Sequence, residues 1–329
     1  MDLIKISHGN GGEETKDLIE NIFYKYFKVE EKYKNKDSAI IDLAGSIVVT
    51  TDSFVVDPIF FSGGDIGKLS ICGTINDISV SGAKPLYLTA AFIIEEGFSL
   101  KSLEKIVSSM AKEAEKNNIN IIAGDTKVVE KGKGDKIYIN TTGIGILEKN
   151  LYSENICEGD KIILSGSIAD HGICILNERE NICSIKEIKS DCTSVYPIVE
   201  KIISLNYNVK FMRDPTRGGV AQVLNEISTL TNKSIRIYEN KIPIKPKVKS
   251  LCKILGIDPL YVANEGKVLI VVSKEDAEKV VKTLKNIDIS NDASIIGKVE
   301  KGCGVVLETL IMGEKKISSF TGNIIPRIC

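Results

Sequence analysis

Gly63-Gly64-Asp65-Ile66-Gly67-Lys68-Leu69-Ser70-Ile71-Cys72-Gly73-Thr74-Ile75-Asn76-Asp77-Ile78-Ser79 decides how this chain is read. From Ile66 to Val80 the apolar residues fall on nearly all sides of a helix, so the helix is expected to be largely buried. Asn76-Asp77 sits inside it. A carboxylate in a buried helix is costly unless it is paired or metal-bound. Two readings stand side by side: a functional Asp77, or an acid that caps or salt-bridges near the helix end. Buried Asp is rare, which gives the first reading its weight.

Around this helix the chain alternates strands and helices. Leu86–Ile94 reads as a strand. Ser99 is the expected N-cap of an amphipathic helix with Leu103, Ile106, Val107, Met110 and Ala114 as its buried stripe and Phe98 stapled to Leu103. Ile119–Ala123 reads as a short strand that ends at Gly124-Asp125-Thr126-Lys127, and Ile137–Ile146 as another. Nearer the N-terminus, Ala39–Leu43 and Ile47–Thr51 read as a hairpin about Ala44-Gly45-Ser46, its second strand running into Asp52. The second half predicts strands at 161–165, 209–212, 268–272, 295–299 and 305–307. Helices are expected after Asp170-His171-Gly172, after Gly218-Gly219, over 246–255 and after Ser273. The 180–191 stretch is polar and expected to be exposed. These elements give two α/β domains, with a texture shift at 150–160 marking the boundary. The expected spans are 1–155, 156–317 and a flexible C-terminal tail, 318–329, led by Ser318-Ser319-Phe320-Thr321-Gly322-Asn323.

Composition narrows the function. The 329 residues are 43% apolar and 26% charged with a net charge of −1, so no global field favours nucleic acid or an anionic membrane surface. No apolar run approaches a membrane span, and the N-terminus lacks a secretory pattern. Eight cysteines form no C-x-x-C pair, and a disulfide framework is not expected in a chain of this length. A reducing, cytoplasmic compartment is expected.

The chemistry gathers at the ends of elements. Asp52, Asp77, Asp125 and Asp214 would resist ionising together unless a cation joined them, and Mg²⁺ suits carboxylates combined with phosphate oxygens. Ser7-His8-Gly9-Asn10-Gly11-Gly12 offers a loop able to fold over phosphates, or a plain turn. Arg213-Asp214-Pro215-Thr216-Arg217-Gly218-Gly219 precedes a helix whose N-terminus favours anions. The P-loop string is absent. Ala263-Asn264-Glu265-Gly266-Lys267 is a turn holding an acid and a base. The chain ends in Pro326-Arg327-Ile328-Cys329, a thiol at the last position. The α-carboxylate beside it disfavours the thiolate and Arg327 favours it. On residues alone, a Mg-ATP enzyme and an α/β protein with ordinary surface acids both remain open.

The strings SHGNGG (7–12), TTDSFVVDP (50–58), GGDIGKLSICGTINDIS (63–79), GDTKVVE (124–130), INTTGIG (139–145), DHGI (170–173), MRDPTRGG (212–219), DPLYVANEGK (258–267) and PRIC (326–329) run from end to end of the chain. Through them it resembles the HypE family of hydrogenase-maturation proteins. That family lies within the superfamily of aminoimidazole-ribonucleotide synthetase, selenophosphate synthetase and thiamine-monophosphate kinase. The resemblance implies an N-terminal domain whose strands join those of a dimer mate in a β-barrel, a C-terminal α/β domain, and ATP in the cleft between. It implies ATP-dependent dehydration of a carbamoyl group on Cys329 to a thiocyanate, the source of a cyanide ligand for hydrogenase iron. The implied partners are the carbamoyltransferase HypF, which loads the thiol, and a HypC–HypD complex, which accepts the nitrile.

Site roles follow from the same resemblance. Asp52, Asp77, Asp125 and Asp214 look like Mg-ATP carboxylates. Arg217, Gly218 and Gly219 look like phosphate binders, and His8 and Gly9 close over the nucleotide. Glu265 or Lys127 is the final base. Each has a plainer alternative as a cap, a turn acid or a surface lysine, and His171 receives no role. Two rivals stay in view: a small-molecule kinase of the same superfamily, and a non-enzymatic scaffold with a metal- or redox-active tail thiol.

Overall fold

In the computed structural model, residues 3–34, 36, 38–182, 187–319 and 325–329 are described. Near the N-terminus, short helical segments α1 (Glu13–Leu18) and α2 (Lys25–Phe27) flank a π-type turn at Ile19–Tyr24. Next come β1 (Ile47–Phe54), the two-residue strands β2 (Phe60–Phe61) and β3 (Gly64–Asp65), and α3 (Ile66–Val80). After these follow β4 (Ala83–Glu95), α4 (Leu100–Lys116), β5 (Asn120–Val129) and β6 (Ile137–Leu147). A four-stranded sheet forms in the order β1-β6-β4-β5.

The central helix is as buried as its sequence demands. Asp65 caps α3 by accepting from the Lys68 amide, and thirteen of the helix's fifteen residues are buried. Its close seat on the sheet depends on Gly143 of β6, where a Cβ would stand 2.5 Å from Ile78 Cδ1 and 2.7 Å from Thr74 Cγ2. The neighbouring helix α4 buries the five expected residues, and Ser99 accepts from the Ser102 amide.

Three sequence expectations change here. The hairpin is absent among the described residues: residues 39–43 form no strand, Ile40 is 79% exposed, and β1 pairs instead with β6 over eight residues. A long ladder inside a sheet outweighs a local two-strand ribbon, which is only marginally stable alone. Gly124–Lys127 does not follow a strand but continues it, pairing in parallel with β4. The 180–191 stretch is not uniformly exposed. Ile188 is buried, as is the side chain of Asp191, while residues 183–186 lie outside the described part.

The second half contains β7 (Lys161–Leu164), α5 (Asp170–Glu180), α6 (Tyr196–Ser204), β8 (Val209–Arg213), α7 (Gly219–Thr231), β9 (Ser234–Tyr238) and α8 (Pro246–Leu255). It closes with β10 (Leu269–Val272), α9 (Ala277–Leu284), β11 (Ser294–Glu300), β12 (Gly304–Glu308) and β13 (Glu314–Ile317). Its seven-stranded sheet has the order β13-β12-β9-β11-β7-β10-β8. Apolar residues of α5 and α8 join the core built on α3 and α4, so the two halves share one packed interior.

The chain end departs from the expectation of a mobile tail. Residues 320–323 of the expected lead lie outside the described part, but Ile325 and Ile328 are buried in the shared core. The Val55 amide donates to the Cys329 carbonyl at 3.0 Å and the Asp57 amide to the Arg327 carbonyl at 3.3 Å. Arg327 Nε returns a bond to the Val55 carbonyl at 2.9 Å. The last residues therefore lie along the stretch that leaves β1, a few residues beyond Asp52.

Candidate active site

The structure assembles one acidic cluster from α3, β1 and the loops after β8 and before β10. Thr50 and Asp52 share the inner face of β1, because alternate strand residues point the same way. Thr50 Oγ1 donates to Asp77 Oδ2 at 3.0 Å, and Asp52 Oδ1 accepts from the Ser53 amide. Asp214 follows β8 and is buried. Burial first, then the negative charges of Asp77 and Asp52, push its carboxyl up to about 7. Burial also raises Asp52 and Asp77, while Arg217 pulls both the other way. Glu265 is buried, its Oε1 has no hydrogen-bond partner, and its carboxyl is held well above the ordinary range by burial and by Asp214, Asp191, Asp52 and Asp77.

Two asparagines fix the Glu265 turn. Asn76, one residue before Asp77 on α3, donates to the Thr193 carbonyl at 3.2 Å and the Glu265 carbonyl at 3.3 Å, and accepts from the Val195 amide at 2.7 Å. Asn264 accepts from the Ala169 amide and donates to the carbonyls of Pro215 and Val262. Asp191 Oδ1 accepts from the Glu265 amide at 3.1 Å, and its Oδ2 stands 3.4 Å from Lys267 Nζ in a buried pair. Sequence reasoning missed Asp191 because its neighbourhood is polar. It named Asn76 only as part of the Asn-Asp pair in α3.

Cys329 completes the cluster. Burial raises its thiol to about 12, with Glu265 and Asp52 adding to the shift and Arg217 opposing it. The cation that acts on the thiol is thus Arg217. Arg327, expected in that role, is turned away into an ion pair with Asp135. Gly218 and Gly219 stand at the start of α7 as expected. A Cβ on Gly219 would meet the Leu260 carbonyl at 2.5 Å, so close packing already demands glycine there.

Asp125 and Lys127 are not brought to this cluster within one chain. They pair with each other at 2.7 Å on exposed β5, the sheet edge opposite β1. Asp52, Thr141, Ala90 and Gly124 lie in one row across the sheet, three strand spacings or about 14 Å. His8 and Gly9 belong to this far edge. His8 Nδ1 accepts from the Lys5 amide, and Gly9 lies so close to β5 that a Cβ would stand 2.6 Å from the Val128 amide nitrogen. A cavity of about 310 Å³ opens there, lined by Gly9, Gly11, Phe23, Phe27, Asp125 and Lys127 among others. Its aromatic wall, glycine loop and lysine suit a ligand with a flat ring and an anionic end.

Among the described residues, no three His, Cys, Asp or Glu side chains converge on a ready-made metal cage. The carboxylates are near enough to raise one another's pKa, and Mg²⁺ commonly binds through one or two carboxylates plus phosphate oxygens and waters. The donor set fits a cation that arrives with a phosphate ligand. No described helix is long and apolar enough to cross a membrane.

Comparison with known proteins agrees along the whole chain. Residues 35–147 match the N-terminal domain family of AIR synthase related proteins, and residues 158–309 match the C-terminal domain family. The chain is 40% identical to the carbamoyl dehydratase HypE of Escherichia coli, covering all of both proteins. It superposes on a crystal structure of the hydrogenase maturation protein HypE in complex with ATP with a TM-score of 0.95 at 39% identity, covering 98% of this chain and 99% of that one. It also superposes on a HypE–HypF complex structure with a TM-score of 0.82 at 48% identity, covering 92% of this chain and 99% of that one.

Proposed function

From the premise that this chain belongs to the HypE family of carbamoyl dehydratases, we propose that its Cys329 is the substrate thiol and the acidic cluster beside it the dehydration site. The protein is an ATP-dependent carbamoyl dehydratase of hydrogenase maturation. The single observation that carries the site assignment is the docking of Cys329 within electrostatic reach of Glu265, Asp52 and Arg217.

The reaction converts S–C(=O)–NH₂ on Cys329 to S–C≡N, with ATP becoming ADP and phosphate. The carbamoyl oxygen departs as a phosphate oxygen, and the nitrogen gives up both of its protons. Bound Mg²⁺ with ATP supplies the electrophilic phosphoryl group and offsets its charge. Asp52, Asp77 and Asp214, whose charges act on one another, would hold that cation together with its phosphate oxygens, and Arg217 before the α7 N-terminus would contact phosphate. Glu265 is the proton acceptor. Burial and its acidic neighbours raise its carboxyl well above the ordinary range, and positive charge brought in with the ligand opposes that shift and makes the group available as a base. The main chain of its turn is fixed by Asn76 and Asp191.

Asp125 and Lys127 join the site through a homodimer. β1 is an edge strand whose outer face exposes Ile47 and Val49, and unpaired strand edges pair readily. A dimer that sets the β5 edge of one copy beside the β1 edge of the other brings Asp125, Lys127, His8 and Gly9 to the Asp52 cluster. The cavity on that edge is the proposed seat for the ATP base. HypF is the proposed loading partner, given the complex formed by its relative, and a HypC–HypD complex the proposed acceptor of the nitrile. The burial of Cys329 within electrostatic reach of Glu265 favours this reading over phosphoryl transfer to a small molecule and over an inert scaffold.

The test is isotopic. Cys329 carbamoylated with ¹⁸O at the carbonyl is mixed with Mg-ATP, and the released phosphate is analysed. One ¹⁸O per nitrile formed is expected. Label released as water would overturn the reading.

A further inference from the structure

The carbonyl of Ile328, the residue before the terminal cysteine, lies 2.7 Å from His171 Nε2. His171 is fully buried at the start of α5. A carbonyl can only accept, so Nε2 carries the proton. Burial lowers the ring's pKa against the opposing charge of Asp191, and in the neutral ring with its proton on Nε2 the Nδ1 atom accepts from Ser190 Oγ at 2.8 Å. Ser190 Oγ in turn accepts from the Cys192 amide at 3.0 Å. The ring is braced edge-on by Phe61, centroids 5.6 Å apart. Every polar atom in this short chain has a defined role, which fixes the tautomer and the direction of the bond to the tail.

Farther along α5, Arg179 seats the residues before Ile328. Its Nη1 donates to the Pro326 carbonyl at 2.6 Å and its Nη2 to the Arg327 carbonyl at 2.7 Å. Nε and Nη2 also donate to the Asp57 carbonyl. His171 and Arg179 are eight residues apart, about 12 Å along a helix and on one face of it. Three consecutive tail carbonyls, at Pro326, Arg327 and Ile328, are thus held by two side chains of one helix. The dehydration chemistry uses neither side chain.

We propose that His171 and Arg179 are positioning residues that seat the chain end on α5, so that the group carried by Cys329 is presented to Glu265. This rests on the reading of Cys329 as substrate. Their effect falls on the step that transforms the carbamoyl group, and ATP binding does not depend on them.

The test uses the full chain and three variants: His171→Ala, Arg179→Ala and His171→Gln. Arg179 is only half-buried, so its truncation keeps the test available if His171→Ala does not fold. Cys329 is alkylated by iodoacetamide in one series. In another it is carbamoylated by cyanate, freed of reagent and given saturating Mg-ATP. Both series are read on the C-terminal peptide by mass. Losing a seat bond in either alanine variant is expected to speed alkylation about tenfold and slow water loss about tenfold, with the ATP Kd within about twofold. His171→Gln is expected to stay near the parent, because an amide offers an N–H to Ile328 and an oxygen to Ser190. Folded alanine variants that match the parent in both rates overturn the seat, while water loss by the parent leaves the substrate reading standing. Faster alkylation in the variants with no water loss even in the parent leaves the seat standing and removes the substrate reading.

Discussion

The side-chain amide of Asn76 donates to the main-chain carbonyl of Glu265 at 3.3 Å, joining the buried helix of the first half to the Glu265 turn of the second. The same side chain bonds Thr193 and Val195. Asn76→Ala leaves those buried partners unsatisfied, at a cost of roughly 2–4 kcal/mol. Urea unfolding is expected to show the loss as a lower midpoint, and an unchanged midpoint would mean that water replaces Asn76 freely.

Glu265 is costly to bury and is the base of the proposed reaction. A buried carboxyl with an unpartnered oxygen opposes folding, so Glu265→Gln is expected to melt at the same temperature as the parent or higher. General-base catalysis contributes on the order of 10²–10⁴-fold, and water loss from carbamoylated Cys329 is expected to fall by that factor while ATP still binds. Parent-like turnover in this variant would move the base elsewhere, with Lys127 next in line.

Much of this was legible in the sequence, and the part that was not has physical reasons. The α4 stripe is visible because helical periodicity writes its buried face into the residue order. Asp125 and Lys127 read as lying past a strand end because polar residues on an exposed edge look like a loop. Asp191 hid because a polar stretch reads as solvated until a partner such as the Glu265 amide is in place. The docked tail left no mark at all. Its acceptors are main-chain carbonyls, which every residue carries, so Pro326, Arg327 and Ile328 do not advertise their partners on α5. Carboxylates at element ends mark Asp52, Asp77, Asp125 and Asp214 as one group on residue chemistry alone, whereas the role of Glu265 rests on the match of motifs.

Asp214 makes stability depend on pH. Its carboxyl stands at about 7 in the folded chain against an ordinary 3.8. Between those values the folded protein keeps a proton that the unfolded chain has released. Stability is therefore full below pH 4 with respect to this group and is lost as pH rises towards 7. The loss is on the order of 4 kcal/mol at most, shared with Asp77 and Asp52, which titrate against it. Thermal melts in a chelator are expected to fall between pH 5 and 8 in the parent and less in Asp214→Asn. Equal slopes would place the pH dependence elsewhere.

Asp77 is expected to matter for the nucleotide more than for the fold. Asp77→Asn keeps an acceptor for Thr50 and removes one charge from the cluster, so Mg-ATP affinity is expected to drop about tenfold or more at fixed Mg²⁺. Calorimetric titration checks it. Unchanged affinity would take Asp77 out of the cation site.

The most direct measurement follows the C-terminal peptide by mass after Cys329 has been carbamoylated and Mg-ATP added. The account predicts that the peptide loses the mass of one water only when ATP is present, and that Cys329→Ala shows neither the carbamoyl nor the loss. A carbamoylated Cys329 that stays intact while ATP is consumed would contradict it.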